Sequence, residues 1–571
     1  MNKSLLFLIV AFAAGCNTSK PVVSAPALDP YRYTINKKVT GENGVVVSAH
    51  PLASQVGLAI LKKGGNAVDA AIATQLALAV VYPNAGNLGG GGFFVARLST
   101  GETVSLDYRE VAPSKAHRDM YLDAEGNVVS NKSLRGPSSS GVAGTVAGLF
   151  ESMKYAKLSM KELITPAIAL AENGFVITER EARGLNAIQD ELKKFNTMPN
   201  ALQKAVAWKA GDTLVQKDLA NTLKRIRDFG AAGFYEGETA KLIVEEMQRG
   251  GGYIGFDDLK NYRARWRTPH TFDYKGYTVV SMPMPSSGGV LLHQMMKMLE
   301  DKPLPLYGFN SPRAVQLMVE VERRAYADRA EFMGDPDFYK VPVAAITSAA
   351  YLKQRMMSYD STAAGNSQQI RPGVIAGVES EETTHLSIID KEGNAVSVTT
   401  TLNDSYGSRT VVGGAGFLLN DEMDDFSVKP GVPNMYGAVG GEANAIVPGK
   451  RMLSSMTPTI VLQNGRPFLV VGTPGGTTIP TSVFQTIINI IDFAMTTEDA
   501  VYQPKFHHQW LPDEIFIEKG FPEATRSALE KMGYKFNSRG AIGRVEVIRV
   551  LADGRFEGVA DNRGDDAAEG W

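Results

Sequence analysis

The chain changes character at a polar segment, Ser358–Gly377, which is rich in Gly, Ser and Gln and which we expect to be exposed and mobile. After it, Leu386–Asp390 alternates like a strand of a sheet. The turn-forming residues Lys391–Asn394 follow, and the β-branched stretch Ala395–Thr401 returns. The second part of the chain therefore opens on a β-hairpin, which any fold for this sequence has to place in a sheet.

The first part of the chain combines strands with helices. Val45–Val47 is a strand candidate, and Pro51–Lys63 carries apolar residues at helical spacing. Asn66 is a suitable N-cap for a second helix that extends to about Val81 and is apolar on nearly every face, as a buried helix is. The sequence therefore predicts an α+β protein. Its 571 residues correspond to two to four average domains, although one large layered unit also fits.

The charge of the chain excludes one class of function. Its formal net charge is -2, its pI is about 6.4, and no long basic run occurs. A nucleic-acid-binding protein needs a basic patch or stripe to neutralise phosphates. We therefore expect no nucleic-acid partner.

The N-terminus has the pattern of an export signal. Lys3 precedes the apolar run Leu5–Ala14, and small residues lead to Cys16, the only cysteine of the chain. Residues 1–16 are therefore predicted to be a signal peptide, and residues 17–43 a tether. The residues before Cys16 resemble a bacterial lipobox, with Ala13 where Leu is usual, so Cys16 is a candidate lipidation site and plain secretion is the alternative.

Export fixes the expected compartment. We predict a bacterial protein in the periplasm or anchored at the outer membrane, with secretion as the other outcome. The apolar run is too short to cross a bilayer as a mature helix. Contact with a membrane is therefore expected only through a lipid on Cys16.

The segment Glu382–His385 contains the main candidate for chemistry. If the bond between Glu382 and Thr383 breaks, Thr383 gains a free amine, which can take the proton from its own hydroxyl and so activate it. An α-amino group titrates near 8, low enough to act as a base at neutral pH. The ordinary alternative is that two β-branched residues simply open a strand.

Several longer motifs surround this segment in a fixed order. Together they resemble the γ-glutamyltransferase family of the N-terminal nucleophile hydrolase superfamily. The resemblance implies a four-layer αββα sandwich built from two pieces of one precursor. The large subunit would be residues 44–382 and the small, catalytic subunit residues 383–571, forming a heterodimer. The motifs are Asp107–Pro113, Gly141–Leu149, Glu382–Ser387, Thr401–Asn403, Glu422–Phe426, Leu453–Pro458 and Gly472–Gly476.

The resemblance implies roles for the groups around Thr383, which would be the nucleophile after autocleavage at Glu382–Thr383. Thr401 would hydrogen-bond the Thr383 hydroxyl and assist processing; its alternative is packing at a strand end. Arg109 would bind the α-carboxylate of a γ-glutamyl group, because its fork of donors matches a planar carboxylate. For Arg109 the alternative is an ordinary surface arginine.

The other implied roles concern the rest of the amino-acid head group and the reaction centre. Ser454 and Ser455 would add hydrogen bonds to the carboxylate. Acceptor oxygens would hold the α-ammonium, and backbone N–H groups would stabilise the oxyanion. Without the resemblance, Asp424–Asp425 is a solvated acidic turn, the glycine pair an ordinary turn and the serine pair part of a loop. The segment around Tyr436 is then a plain surface loop. The ammonium ligands would be Asn403, Glu422 and Asp425, the oxyanion donors Gly475 and Gly476, and a lid residue Tyr436.

The implied activity is transfer of the γ-glutamyl group of glutathione and related compounds to water, amino acids or dipeptides. No metal and no organic cofactor is implied. One alternative is a cephalosporin (glutaryl) acylase-like amidase of the same superfamily, whose substrate lacks the α-amine. The other is an exported binding lipoprotein that uses the pocket without catalysis.

Overall fold

The computed structural model describes residues 28–370, 382–429 and 441–571. The signal peptide with Cys16, residues 17–27 of the tether and the lid residue Tyr436 lie outside these ranges. The backbone of Glu382 is described, but its side chain is not. Within the described ranges, no helix combines the length and the apolar character needed to cross a membrane.

The strands are numbered in chain order. They are β1 (Lys38–Gly41), β2 (Gly44–Ser48), β3 (Gly91–Arg97), β4 (Thr103–Asp107), β5 (Phe175–Val176), β6 (Thr213–Leu214), β7 (Arg265–Arg267), β8 (His270–Tyr274), β9 (Tyr277–Ser281), β10 (Glu382–Asp390), β11 (Ala395–Asn403), β12 (Thr459–Gln463), β13 (Arg466–Gly472), β14 (Phe506–His507), β15 (Ile515–Ile517), β16 (Phe536–Ser538), β17 (Glu546–Val550), β18 (Phe556–Ala560) and β19 (Ala567–Gly570).

The α-helices are numbered in the same way. They are α1 (Pro51–Lys62), α2 (Ala67–Val81), α3 (Thr145–Ser152), α4 (Met160–Asn173), α5 (Glu179–Ala187), α6 (Gln189–Phe195), α7 (Lys217–Phe229), α8 (Ala232–Tyr235), α9 (Gly237–Gly250), α10 (Phe256–Asn261), α11 (Gly288–Leu299), α12 (Leu304–Tyr307), α13 (Pro312–Phe332), α14 (Val343–Ile346), α15 (Ala349–Met356), α16 (Thr478–Ile491), α17 (Thr497–Tyr502) and α18 (Glu523–Lys531). Short 3-10 helices occur at Pro137–Ser139, Met153–Tyr155, Glu422–Asp425 and Glu442–Asn444.

Two antiparallel seven-stranded sheets form the centre of the fold. Sheet I has the order β19-β2-β10-β11-β3-β4-β7, and sheet II has the order β1-β18-β17-β13-β12-β9-β8. Each sheet contains strands from before and after residue 382, so neither part of the chain can complete a sheet alone. The predicted hairpin is the centre of sheet I, where β10 pairs with β2 on one side and β11 pairs with β3 on the other.

The two sheets face each other and helices cover their outer faces. Strands β10 and β11 contact β13, and Ser397 Oγ donates to the carbonyl of Val471 in the opposite sheet at 3.2 Å. Helices α1 and α2 pack on the outside of sheet I, whereas α11 and α16 pack on the outside of sheet II. The predicted four-layer αββα sandwich is therefore confirmed.

The buried helix α2 follows from its sequence. Asn66 accepts from the backbone N–H groups of Val68 and Asp69, and Asp69 accepts from the Asn66 N–H in return, so a capping box starts the helix. Every residue of α2 is buried, as its nearly uniform apolar character predicts. This helix supports β10 and β11 from outside and so keeps the hairpin in place.

Two expectations need correction. Lys38–Gly41 forms β1 at the edge of sheet II, although it falls within the predicted tether 17–43; four residues carry too little periodicity to reveal a strand that pairs with distant β18. The described part of the polar segment, residues 358–370, is not wholly exposed. Ser367 is buried, and its carbonyl accepts from the indole N–H of Trp510 at 2.8 Å.

Candidate active site

Thr383 lies at the start of β10, where the pairing with β11 is irregular. Glu382 is opposite Asn403 and Thr384 is opposite Thr400, so the register shifts across Thr383. Such a bulge leaves part of the ladder unpaired and redirects a side chain. Thr383 is buried despite its place at the end of a strand. The predicted scissile bond therefore falls at a local break in an otherwise regular hairpin.

Thr401 belongs to the same irregular part of the ladder and is also buried. Its hydroxyl accepts from the backbone N–H of Asn403 at 2.8 Å, and its carbonyl accepts from Asn87 Nδ2 at 2.9 Å. A Cβ atom at Gly90 would collide with this carbonyl. The absence of a side chain at Gly90 therefore lets the backbone before β3 pack closely against the end of β11.

Asn403 connects the hairpin to the segment Asp421–Asp425, called the acidic loop below. Its φ of 78° lies in the left-handed region, which is uncommon for a residue other than glycine and often marks a functional site. Its Nδ2 donates to the carbonyl of Asp421 at 3.0 Å, and the Asp421 N–H donates to the carbonyl of Leu402 at 3.0 Å. These bonds hold Glu422 next to the end of β11.

Arg109 is fully buried, so the surface alternative for it is wrong. Its guanidinium contacts the carboxylates of Glu422 and Asp425 and lies 3.6 Å from Glu110 Oε2. It also donates to the carbonyls of Met452 and Leu453, at 3.4 and 3.3 Å. The acidic loop, the motif around Arg109 and the segment before Ser454 therefore meet at one guanidinium.

Three carboxyl groups next to one cation cannot all be ionised at low cost in a buried place. Burial raises the pKa of Glu422 well above its ordinary value, and the positive charge of Arg109 only partly opposes this. Burial likewise raises the pKa of Glu110 to about 7, again against the effect of Arg109. The cluster thus contains more carboxyl groups than one guanidinium can balance. A second cation next to them would stabilise their ionised forms.

This arrangement matches a zwitterionic amino-acid head group. In the structure, the group expected to bind an α-carboxylate pairs with two of the groups expected to bind an α-ammonium. A head group that carries both charges can replace each half of this internal ion pair. The residues are thus brought together as the sequence predicts, with opposite charges in contact.

Ser454 and Ser455 follow the carbonyls that bind Arg109, and both are buried. Ser454 Oγ accepts from the Met456 N–H at 3.2 Å, and Ser455 Oγ accepts from Arg329 Nη2 at 3.2 Å. Both hydroxyl groups keep their own proton to donate. Their expected role as hydrogen-bond donors to a carboxylate stays a prediction.

Gly475 and Gly476 form the turn between β13 and α16, with φ values of 138° and 56°. The Gly475 carbonyl accepts from the Thr478 N–H at 3.0 Å, so it points towards α16. Because a trans peptide directs its two polar groups to opposite sides, the Gly476 N–H points away from that helix. Gly475 also lines a cavity. The expected role of these two N–H groups at an oxyanion stays a prediction.

His385 places this turn near the start of β10. A Cβ atom at Gly472, three residues before Gly475, would collide with the imidazole ring of His385. The ring hydrogen-bonds Thr399 Oγ1 at 2.9 Å and Ser387 Oγ at 3.1 Å. Burial lowers the pKa of His385 to about 3, so the ring is neutral. His385 therefore packs the two sheets together at the site and is a poor candidate for a general base.

The sequence-based prediction missed three residues. Glu110 stands beside Arg109 in a motif that was recognised, and its position was the only signal. Asn420 Oδ1 accepts from the Glu422 N–H at 3.1 Å and from the Gly141 N–H at 2.9 Å. Asn444 Nδ2 donates to the carbonyl of Asp425 at 2.6 Å, while its Oδ1 accepts from the Leu453 N–H at 2.9 Å. Both amides position the charged groups, and no sequence pattern marks them.

We expect Glu110→Gln to change how stability depends on pH. The folded pKa of Glu110, about 7, lies above its ordinary value of 4.5, so between these values only the unfolded state loses the proton. The native protein is then destabilised as pH rises, by roughly 3 kcal/mol in total. The variant lacks this titration. Thermal unfolding at pH 5 and pH 8 should therefore favour the variant increasingly at the higher pH; a constant difference would contradict the assignment.

Comparison with known proteins identifies the family of the chain. The profile of the family described as gamma-glutamyltranspeptidase matches residues 53–571. The glutathione hydrolase proenzyme of Escherichia coli K12 is 47% identical over 563 residues, which are 96% of each chain. The cephalosporin acylase from Bacillus halodurans has a TM-score of 0.82 and 26% identity, over 96% of this chain and 99% of that one. The Helicobacter pylori gamma-glutamyltranspeptidase has a TM-score of 0.55 and 43% identity, over 57% of this chain and 94% of that one. The chain therefore belongs to the γ-glutamyltranspeptidase family.

Proposed function

We propose that this protein cleaves itself before Thr383 and then transfers the γ-glutamyl group of glutathione and related compounds to water, amino acids or dipeptides. The observation that carries the proposal is the buried ion-pair cluster of Arg109, Glu422 and Asp425, which suits an α-amino-acid head group. An ordinary internal peptide bond offers no such zwitterion next to the scissile amide. The site therefore favours a γ-glutamyl group whose α-amine and α-carboxylate are both free.

Self-cleavage is the first step. The Thr383 hydroxyl attacks the carbonyl carbon of Glu382, the C–N bond of that peptide breaks, and the nitrogen takes a proton to become the free amine. Water then hydrolyses the resulting ester between Glu382 and Thr383. The break in the ladder at this position supports the step, because a regular strand would hold the peptide in its hydrogen-bonded pattern.

Turnover reuses the same hydroxyl. The new amine of Thr383 takes the proton from the Thr383 hydroxyl, and the hydroxyl oxygen attacks the γ-carbonyl carbon of the substrate. The N–H groups of Gly475 and Gly476 stabilise the oxyanion that forms. The leaving amine takes the proton, and a γ-glutamyl ester of Thr383 remains. Water or an acceptor amine then attacks this ester and restores the free hydroxyl. Thr401, on the neighbouring strand β11, would hydrogen-bond the Thr383 hydroxyl and so assist its attack.

The two products of cleavage would be the chain up to Glu382, which includes β1, and residues 383–571, and they would remain one heterodimer. Each central sheet needs strands from both pieces, so separation would expose a large apolar area. The solved Helicobacter pylori chain supports this division, since 94% of that chain corresponds to only 57% of this one.

An acylase for glutaryl substrates is the alternative, favoured by the likeness to the cephalosporin acylase. A glutaryl group lacks the α-ammonium that Glu422 and Asp425 would bind. We therefore expect the purified protein to hydrolyse a γ-glutamyl anilide at least about ten-fold more efficiently, in kcat/KM, than the matching glutaryl anilide. Equal rates, or a preference for the glutaryl compound, would favour the acylase. A protein that stays one band on a denaturing gel and releases no aniline would be a binding protein.

We also propose export, with residues 1–16 as the signal peptide. The pattern at the N-terminus supports this proposal, with a lipid on Cys16 as its anchored form and free secretion as its other form. Fractionation of the producing cells checks it: activity confined to the cytoplasm would exclude both forms.

A further inference from the structure

The turn Gly475–Gly476, called the oxyanion turn below, does little to fix its own backbone. Its two glycines have φ values of 138° and 56°, and glycine changes between such conformations at little steric cost. Both of their carbonyls accept from N–H groups of α16, at 3.0 and 3.1 Å. Thr477, the first residue after the pair that carries a side chain, is buried. The direction of the predicted oxyanion N–H groups therefore depends on the start of α16 and on what holds Thr477.

Thr477 occupies the N-cap position of α16, but its hydroxyl does not cap that helix. A threonine at this position ordinarily accepts from a backbone N–H of the first turn. Here the Thr477 hydroxyl donates instead to Gln509 Oε1 at 2.8 Å, across 32 residues of sequence. The Thr477 carbonyl accepts from the hydroxyl of Tyr326 on α13. The hydroxyl and the carbonyl of Thr477 are therefore both held from outside the helix that begins here.

Gln509 is itself fixed by a chain of buried groups. Its Oε1 also accepts from His507 Nε2 at 2.8 Å, and its Nε2 donates to the carbonyl of Leu511 at 3.3 Å. Burial lowers the pKa of His507 to about 3, so the ring is neutral and has one proton to donate. Because an amide oxygen only accepts, that proton is on Nε2, and Nδ1 accepts from the Thr481 hydroxyl at 2.8 Å. These contacts hold Gln509 in one position, from which it fixes Thr477.

We propose that Gln509 is a positioning residue for the oxyanion turn and acts through the hydroxyl of Thr477. The inference rests on the proposed function and adds to that site a residue that acts only through another. A backbone N–H stabilises an oxyanion only when it already points to the place where the charge develops. Loss of the Gln509 acceptor would leave the Thr477 hydroxyl buried and unpaired, so the glycine turn could shift. The transition state should then lose stabilisation, whereas binding of the head group at Arg109 should not change.

The test uses Gln509→Met, which keeps the approximate length of the side chain and removes its acceptor. With a γ-glutamyl anilide, we expect kcat per mature site to fall roughly ten-fold and KM to change less than about two-fold.

Two inhibitors separate the transition state from the ground state. A glutamate analogue with a boronic acid in place of the γ-carboxyl forms a tetrahedral adduct with the Thr383 hydroxyl, and its affinity should fall roughly ten-fold as well. The compound 2-aminobutyrate has the head group but no γ-carboxyl, so it should bind the variant as it binds the original protein.

Gln485→Met is the matched control. Gln485 is a buried glutamine of α16, and it contacts the same segment of chain as Gln509 does. Its Nε2 donates to the Phe506 carbonyl at 2.6 Å and to Glu322 Oε1 at 3.4 Å, and its Oε1 accepts from the Phe506 N–H at 3.2 Å. The control thus also loses three hydrogen bonds, but none of them reaches Thr477. We expect it to lower thermal stability and to keep the ratio of the two inhibition constants.

The outcomes are separable. Gln509→Glu keeps an oxygen for the Thr477 hydroxyl and should retain kcat to within about three-fold. Unchanged boronate affinity in Gln509→Met, or an equal loss for both inhibitors, would overturn the assignment and leave the proposed function intact. If the unsubstituted protein releases no aniline from the anilide, the proposed function itself fails.

A second variant covers the case in which Gln509→Met does not mature. Thr477→Val removes the donor of the same hydrogen bond, and its mature form has to show the same loss of roughly ten-fold in kcat and in boronate affinity. If neither variant matures although both fold, the bond serves self-cleavage alone, and the assignment to the oxyanion turn is overturned.

Discussion

Thr383→Ala should leave the chain as a single polypeptide and reduce release of aniline from a γ-glutamyl anilide by roughly 10⁴-fold or more. The reason is that one hydroxyl is asked to perform two reactions, the attack on the Glu382 carbonyl and the attack on the substrate. Loss of a catalytic nucleophile costs on the order of 10⁶ in kcat in a well-studied protease. A denaturing gel and a rate measurement on the same sample check both effects.

Thr383→Ser is the matched control, because it keeps the hydroxyl and, after cleavage, the amine. We expect it to mature and to turn over, with reduced rates, since serine lacks the methyl group that restricts the rotamer of threonine. N-terminal sequencing of its smaller fragment should begin at residue 383. Maturation and full turnover of the alanine variant would refute the mechanism, because its side chain has no nucleophilic oxygen.

Local pattern predicted much of the fold. The alternation in Leu386–Asp390 and Ala395–Thr401 identified the hairpin that became the centre of sheet I. The Asn66 cap and the apolar run behind it identified α2 with both of its ends. These elements carry their signal within a few turns or one hairpin. By contrast, β1 depends on pairing with β18, more than 500 residues away, and its four residues show no such signal.

The candidate site shows the same limit. Resemblance supplied its residues, but their order in the chain does not show which of them touch. Arg109 and Glu422 are 313 residues apart, and their contact exists only because the acidic loop folds back onto the end of β4. Nor does the sequence reveal that the cluster around Arg109 has one guanidinium for three carboxyl groups, because in the sequence Glu110 is only the residue that follows Arg109. Burial, which a motif does not contain, turns that neighbour into a group with a raised pKa.

Replacing Arg109 by Met should damage binding and stability together. The kcat/KM for a γ-glutamyl anilide should fall roughly 10²- to 10³-fold, because the α-carboxylate loses a buried, charge-assisted partner. A 4-aminobutyryl anilide lacks that carboxylate. It should therefore react slowly with the original protein and lose little more with the variant. A variant that loses the same factor on both compounds would place Arg109 outside the carboxylate site.

The stability effect of Arg109→Met has a predictable sign with pH. Without the guanidinium, Glu110, Glu422 and Asp425 remain buried together, and breaking such a pair costs roughly 3–5 kcal/mol. The charge of Arg109 lowers the pKa of Glu110 and of Glu422, so its loss raises both further above their unfolded values. The folded variant then holds more protons than the unfolded chain over a wider range, and its stability falls more steeply as pH rises. Thermal unfolding should show a larger deficit at pH 8 than at pH 5. An equal deficit at both would mean that the guanidinium serves packing and leaves the carboxyl groups unaffected.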